Sequence, residues 1–372
     1  MKFKLNDITN VPEIPLSELA KANVINKSFL LAGGEEYPVQ KMLWADGLTP
    51  QVVEAHFQKQ KTPDIFVYTI PNARVFGPNL IGNADWDVYF SNQLYPEWMR
   101  AYITDGHAKI GKTSDPSTLK SHTISAPCMA VLNFQYHAYG HFLLEMLPKL
   151  LTFRLLADYG FEPRVVIPQD TPQYIRKMMC AVVPSITFVE YDVATEYLII
   201  EKLFLPAWMA TAYLHHSYVI STLRDFAIKQ VLTHRDGPKK LFIARPKKQL
   251  VRYMENHEEV EQLAKTLGFV VIRPDMIEWK KQISLFYQAE IIVGEYGSAM
   301  HNTIFSRPGT KVITINWMNA LQSAIAHSCG HKLGYILPDD AKPKMYYYNQ
   351  MDMQSFHLDT ANFEHRLRMQ VI

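Results

Sequence analysis

Residues 290–309 read EIIVGEYGSAMHNTIFSRPG. The β-branched run Ile291, Ile292, Val293 predicts a buried strand. It runs into Gly294 and Gly297, after which the small residues Ser298 and Ala299 open a predicted helix that stops at Arg307, Pro308 and Gly309. Glycines at a strand end allow a tight turn and let a ligand approach the backbone. A helix start behind them offers N–H groups without intrahelical partners and a dipole worth roughly half a positive charge. That combination suits a diphosphate. An ordinary strand-to-helix turn would need the same glycines for geometry alone, and that reading stays open. The spacing is neither G-x-G-x-x-G nor G-x-x-x-x-G-K-[ST], which argues against a dinucleotide dehydrogenase and a P-loop enzyme.

The same alternation extends outward. TKVITIN follows as the next strand, and EWKKQISLFYQA, FVVIRP, NHEEVEQLAKTLG and KLFIARP precede as helix, strand, helix and strand. The helix at 256–268 carries Asn256 as N-cap, Glu259 three residues on, and Gly268 at its end. Residues from about 238 to 340 therefore form a doubly wound α/β unit. The basic, Gly- and Pro-containing break HRDGPKK separates it from a second α/β pattern. There APCMAVLNF, PRVVIPQD, ITFVEYD and YLIIEKLFLPA read as strands, arguing for a largely parallel sheet. YGHFLLEMLPKLLTFRLLADYG and TPQYIRKMMCAVV read as helices, the first kinked at Pro148 and the second capped by Thr171 with Pro172 at its first position. Residues before about 125 are an irregular, β-rich entry, with strand–turn–strand expected for DIFVYTIPNARVFG. The expected domains are 1–225, 238–340, and a tail at 341–372 whose helix FEHRLRMQ is expected to pack back on the first domain.

Composition narrows the classes. With 48% apolar residues and a net charge of +2, the chain is not intrinsically disordered, and its charge gives no footprint for bulk nucleic-acid binding. Its 372 residues exceed what one core organises, so two domains are expected. The cysteines Cys128, Cys180 and Cys329 form no C-x-x-C pair and read as thiols in a reducing compartment. MKFKLNDITNVPEIPL lacks the apolar centre of a signal peptide, and no apolar run reaches the roughly 18 residues of a membrane span. A cytoplasmic protein is expected, with a peripheral contact at the inner face of the cell membrane left open.

Two further places could carry chemistry. His137, His141 and Glu145 fall at i, i+4 and i+8, although Gly140 marks the expected helix start and leaves His137 on the loop before it. A carboxylate beside a histidine suits acid/base work, and His with Glu one turn apart can share a cation. No H-E-x-x-H occurs. Glu145 inside LLEML is hard to bury without a partner. The other place is basic: Arg245 ends KLFIARP, and Lys247, Lys248 and Arg252 follow. Arginine recognises phosphate bidentately, but a charge cluster is also a common solvated face.

YGHFLLEMLPKL, FIARPKKQLVRYMENHEEVEQLAKTLGFVVIRPD and KKQISLFYQAEIIVGEYGSAMHNTIFSRPGTKVITI, in that order, resemble glycosyltransferase family 61 over residues 130 to 320. Its members include bacterial capsule and polysaccharide enzymes and eukaryotic xylosyl- and N-acetylglucosaminyltransferases. The resemblance implies a GT-B fold, with two Rossmann-like domains facing across a cleft. It further implies an inverting, metal-independent transfer from a nucleotide-diphosphate-sugar to a glycan or lipid-linked glycan acceptor, with no other cofactor. Carried over, the family's His-aromatic-x-x-acid motif lands on His141, Phe142 and Glu145, and its arginines on Arg245 and Arg252, the latter followed by Asn256 and Glu258. Its Gly-x-His-Gly-Ala-x-x-x-Asn loop lands on Gly294, Glu295, Tyr296, Gly297, Ser298 and Asn302. Tyr296 stands where the family has His and Ser298 where it has Ala, and His301 is the residue placed to compensate. Glu145 is the expected base, with His141 orienting it or serving instead. The alternatives are a non-catalytic nucleotide-sugar-binding homologue, motivated by Tyr296, and a metal-dependent hydrolase built on His137, His141 and Glu145.

Overall fold

The computed structural model describes residues 4–8, 12–13, 27–37, 60–90, 98–104, 115–211, 214–233, 237–245, 254–315, 320–336 and 355–370. The chain divides into two compact units. One comprises Met1–Glu35 and Thr62–Thr211, the other Glu36–Lys61 and Ala212–Ile372. The boundary falls before the helix Ser217–Val231, earlier than the expected residue 225, and part of the entry segment joins the second unit.

The first unit is built on a mixed sheet, in which the four strands expected to lie parallel do so and every antiparallel pair involves a strand of the entry segment. Its spine is the strand Glu196–Pro206, antiparallel to Ile65–Phe76 and parallel to Lys120–Ile124 and Cys128–Met129. Cys128–Met129 continues in parallel to Arg164–Pro168, and that strand to Phe188–Tyr191. Val165, Val166 and Ile167 are fully buried, as a strand covered on both faces requires. The expected turn in DIFVYTIPNARVFG is absent, because Ile65–Phe76 is one strand. Asn72 takes a left-handed φ of 49° inside it, and pairing with the spine resumes on either side at Pro71 and Ala73. Helix Gln173–Val182 starts after Pro172, while Thr171 donates its hydroxyl back to Pro168 O at 2.6 Å.

The predicted helix around Pro148 is interrupted one turn earlier. A single turn at Tyr139–His141 passes into a π-helical segment, Phe142–Met146, then into Leu147–Leu150 and Thr152–Asp158. Proline has no N–H, and its ring collides with the carbonyl four residues back. Here Leu147 N–H bonds to Phe142 O, five residues back, so the widened turn takes up the misfit before Pro148 is reached.

The second unit carries a five-stranded, all-parallel sheet. In space the strands run Val270–Ile272, Lys240–Ile243, Ile291–Glu295, Lys311–Ile315, Lys332–Ile336, which is 2-1-3-4-5 in chain order. That doubly wound order has its topological switch point between the first and third strands. The tail belongs to this unit, in place of the expected return to the first domain. Asn256 exchanges bonds with Leu358, its Nδ2 donating to Leu358 O at 2.8 Å and its Oδ1 accepting from Leu358 N at 3.1 Å. The helix Thr360–Gln370 buries Phe363 and Leu367 in the core beside Phe242, Val260 and Ala264.

The segment after Gly297 is a 3-10 helix over Ser298–Phe305, not an α-helix. Thr303 donates its hydroxyl to Met300 O at 2.8 Å, taking up the carbonyl that an α-ladder would give to residue 304. Gly294 is required for a packing reason. A Cβ there would lie 2.7 Å from Ile243 Cβ, 2.8 Å from Met300 Sδ and 2.9 Å from Ile243 O. At Gly297 the nearest atoms to such a Cβ are those of the Arg245 guanidinium, at 3.9 Å. Gly294→Ala is therefore expected to cost about 1–3 kcal/mol in urea unfolding, and Gly297→Ala less than about 1 kcal/mol. Equal losses at the two glycines would refute this account.

Candidate functional site

Two clusters of polar side chains lie at the carboxyl ends of parallel strands, one in each unit. In the first unit, Cys128–Met129 leads into a turn at 133–137, followed by the widened helix. Phe142, Leu143, Leu144, Met146, Leu147 and Leu150 are buried around Glu145, whose side chain is only 2% exposed. Both carboxylate oxygens are engaged. Oε1 lies 2.6 Å from His141 Nδ1, and Oε2 accepts from Asn133 Nδ2 at 2.9 Å. The carboxylate accepts from Nδ1–H, which leaves the lone pair of the ring on Nε2. The His141 side chain is 26% exposed, so it is the accessible member of the pair.

Below Glu145, the ammonium of Lys149 is buried in the same helix. Burial pushes its pKa down to about 7, against the negative charge of Glu145, which works to raise it. On the other side of the turn, His137 faces Asp170, its Nε2 3.4 Å from Asp170 Oδ2. His137 is thus turned to a different carboxylate from His141, and the three residues of the hydrolase reading do not converge. Among the described residues, no group of three or more His, Cys, Asp or Glu is arranged to hold a metal ion.

In the second unit the switch point brings together the ends of Lys240–Ile243 and Ile291–Glu295. Arg245 extends over Gly297 and donates from Nη1 to Tyr296 O at 3.4 Å. Glu295 is buried beneath, accepting from the Arg245 backbone N–H. Burial raises its pKa to about 7, while Arg245 and Arg273 oppose the rise and Glu261 adds to it. Gly297 is partly exposed and Ser298 is exposed. Tyr296 is mostly buried, and its ring meets that of His301 edge to face at 6.3 Å. The residue expected to compensate for Tyr296 therefore packs beside it. Asn302 is fully buried and donates to Gln282 Oε1 at 3.1 Å, and Gln282 in turn holds Pro274 O and Ile277 O. Asn302 and Gly294 thus serve packing, whereas Arg245, Gly297 and Ser298 form the accessible rim. Arg252, Lys247 and Lys248 lie outside the described residues. Arg307 bonds to Gln288 O at 3.2 Å, at the end of the helix Trp279–Gln288.

Residues 139–313 match the family model described as Glycosyltransferase 61. Over these residues the chain is similar to glycosyltransferase family 61. No curated protein matches the chain. The matched region opens on the His141–Glu145 helix and closes in the fourth strand of the parallel sheet, so it takes in His141, Glu145, Lys149, Arg245 and Gly297, while Asn133 and His137 precede it. The match points to a glycosyltransferase, a class that takes a sugar donor and a glycan acceptor in general. No helix among the described residues is long and apolar enough to cross a membrane.

Sequence reasoning passed over Asn133, Lys149 and Asp170. Each had a signal: a polar residue just past a buried strand for Asn133 and Asp170, and a lone cation among leucines for Lys149. The two shifted groups act on stability in different pH windows. Glu295 has a folded pKa of about 7 against 4.5, so the folded state binds more protons between these values and stability falls as pH rises through them. Lys149 has a folded pKa of about 7 against 10.5, so the unfolded state binds more protons there and stability rises with pH. Unfolding free energies measured from pH 4 to 10 are expected to lose the falling limb in Glu295→Gln and the rising limb in Lys149→Met. Profiles parallel to wild type in both variants would contradict these assignments.

Proposed function

We propose that the protein transfers a sugar, with inversion, from a nucleoside-diphosphate sugar to a hydroxyl of a glycan or lipid-linked glycan. The donor belongs to the second unit and the acceptor to the first, the division of labour of a GT-B enzyme. The observation that carries the reading is the position of Arg245 and Gly297 at the switch point of a 2-1-3-4-5 sheet, where open α/β sheets bind ligands. Arg245 and the N–H groups at Gly297 and Ser298 meet the charge that builds on the departing diphosphate. The reading asks for no divalent metal, because these groups take that part.

The base is His141 rather than Glu145, since a carboxylate with both oxygens bonded and 2% exposed is poorly placed to meet an acceptor. His141 Nε2 takes the proton of the acceptor hydroxyl as its oxygen attacks the anomeric carbon. The bond from that carbon to the phosphate oxygen breaks, and its electron pair leaves with the diphosphate. A single displacement of this kind inverts the anomeric centre. Glu145 holds the tautomer before the step and offsets the imidazolium after it, a carboxylate–histidine arrangement that recurs in acyl transfer.

The test is turnover of a panel of nucleotide sugars with each acceptor offered. His141→Ala and Glu145→Gln are each expected to lower kcat by about 10²–10⁴-fold while nucleotide binding, read as a thermal shift, is kept. Wild-type turnover in His141→Ala would remove the base assignment. Arg245→Ala is expected to weaken nucleotide diphosphate binding by about 10–100-fold, the range for a hydrogen bond to a charged group. Binding without turnover in the wild type would favour the non-catalytic homologue that Tyr296 suggests.

A further inference from the structure

We propose that Asp170, His137 and Tyr174 form a preformed subsite for a neutral pyranose ring, held by two neighbouring hydroxyls and by one face of the ring. The proposal rests on the transferase reading only in taking that ring to be part of the acceptor. Its own basis is a group of side chains that the base and the donor rim leave unused.

The three residues stand at the carboxyl edge of two adjacent parallel strands. His137 follows Cys128–Met129, and Asp170 follows Arg164–Pro168, directly ahead of the helix Gln173–Val182 that carries Tyr174 in its first turn. Each is solvent-accessible yet anchored. Asp170 and His137 have about half of their side chains exposed, and Tyr174 is 42% exposed. Asp170 Oδ1 accepts from the hydroxyl of the buried Tyr136 at 2.6 Å, and Oδ2 faces His137 Nε2 at 3.4 Å. Burial together with the Asp170 charge holds the Tyr136 phenol well above its ordinary pKa, so it remains a donor. Tyr174 donates its hydroxyl to His137 O at 2.6 Å, which fixes the ring, and the rings of Tyr136 and His137 lie 4.1 Å apart at a 35° tilt. Side chains already held in place lose little freedom on binding.

The chemistry selects the ligand. A carboxylate beside an imidazole offers an acceptor next to a ring nitrogen, and a sugar hydroxyl both donates and accepts. An anionic ligand would meet the Asp170 carboxylate, whereas a neutral polyol meets no opposing charge. An exposed phenol ring supplies the flat apolar surface that the C–H face of a pyranose covers. The turn 133–137 links this group to the proposed base. Asn133 bonds to Glu145 at one end and Tyr136 to Asp170 at the other, while Tyr136 N–H closes the turn on Asn133 O at 3.1 Å. The chain between the two anchors thus spans a single turn, which brings a sugar ring on Asp170 into the neighbourhood of His141.

The test is saturation-transfer NMR on the full chain with a panel of methyl pyranosides covering the common hexoses, xylose and N-acetylglucosamine. At least one methyl pyranoside is expected to bind the wild type. In Asp170→Asn and Tyr174→Ala its affinity is expected to fall at least about ten-fold, the scale of a lost charge-assisted hydrogen bond. Both positions are half exposed, and a thermal melt close to wild type checks that each variant is folded. Tyr174→Phe, which keeps the ring, is expected to retain most of the binding. If no methyl pyranoside binds the wild type, or if both variants bind it unchanged, the subsite is overturned. Turnover of nucleotide sugars by the same preparations separates the two readings. Turnover that is lost in His141→Ala, with glycoside binding indifferent to Asp170 and Tyr174, overturns the subsite and leaves the transferase standing. Binding that depends on both residues, with no nucleotide sugar turned over, upholds the subsite while the transferase reading falls.

Discussion

A carboxylate is not taken out of water without partners, because an isolated buried charge costs several kcal/mol at least. Glu145 lies among leucines with 2% of its side chain exposed. The first unit is arranged around satisfying it. His141 and Asn133 each bond one oxygen, and the buried ammonium of Lys149 supplies opposite charge from the next turn. The π-helical turn that contains Glu145 also absorbs Pro148, so the widened backbone and the buried carboxylate occupy the same five residues. Such turns occur often at functional sites, since they break the regular ladder where a side chain must be aimed. Asn133 ends the loop from the neighbouring strand, and its bond to Glu145 ties the helix to the carboxyl edge of the sheet.

The second unit handles charge in the opposite way. Its cationic side chain stands at the rim, over Gly297, and the carboxylate below it is buried. Burial pushes the Glu295 carboxyl up to about 7, which lessens the negative charge beneath the rim near neutral pH. Both arrangements follow from parallel-sheet topology, which gathers strand ends and their loops on one edge. In the first unit that edge has a histidine backed by a carboxylate, in the second an arginine beside bare backbone.

The fold of the second unit was legible because each of its strands is a short apolar run bounded by Gly, Pro or a cap. The position of Arg245 and the glycine turn was legible for the same reason, since both directly follow such apolar runs. The role of each glycine was not. Gly294 and Gly297 look alike in sequence, yet only Gly294 faces a side chain and a carbonyl that a Cβ would strike. The tail was misplaced because its anchors are tertiary: Asn256 meets Leu358 across about a hundred residues, and no local pattern encodes that pairing. Asp170 and Asn133 were missed on similar grounds. Each is a single polar residue in a loop, and only register brings it to His137 or Glu145.

The assignment of the base turns on a quantity that sequence spacing does not contain. Spacing places His141 and Glu145 on one helical face and makes them partners, but it says nothing of which one reaches solvent. Burial decides it, and burial follows from what covers the helix. One such covering group is the turn at 133–137, whose Asn133 reaches Glu145 from outside the helix. A carboxylate enclosed on all sides is a poor proton acceptor for an incoming hydroxyl, however basic it is made. The same enclosure makes it a good partner for an imidazole, because a bond of 2.6 Å in a dry setting fixes the ring and its tautomer. In the proposed mechanism Glu145 acts through His141, and the leucines that make its burial costly also keep that bond dry.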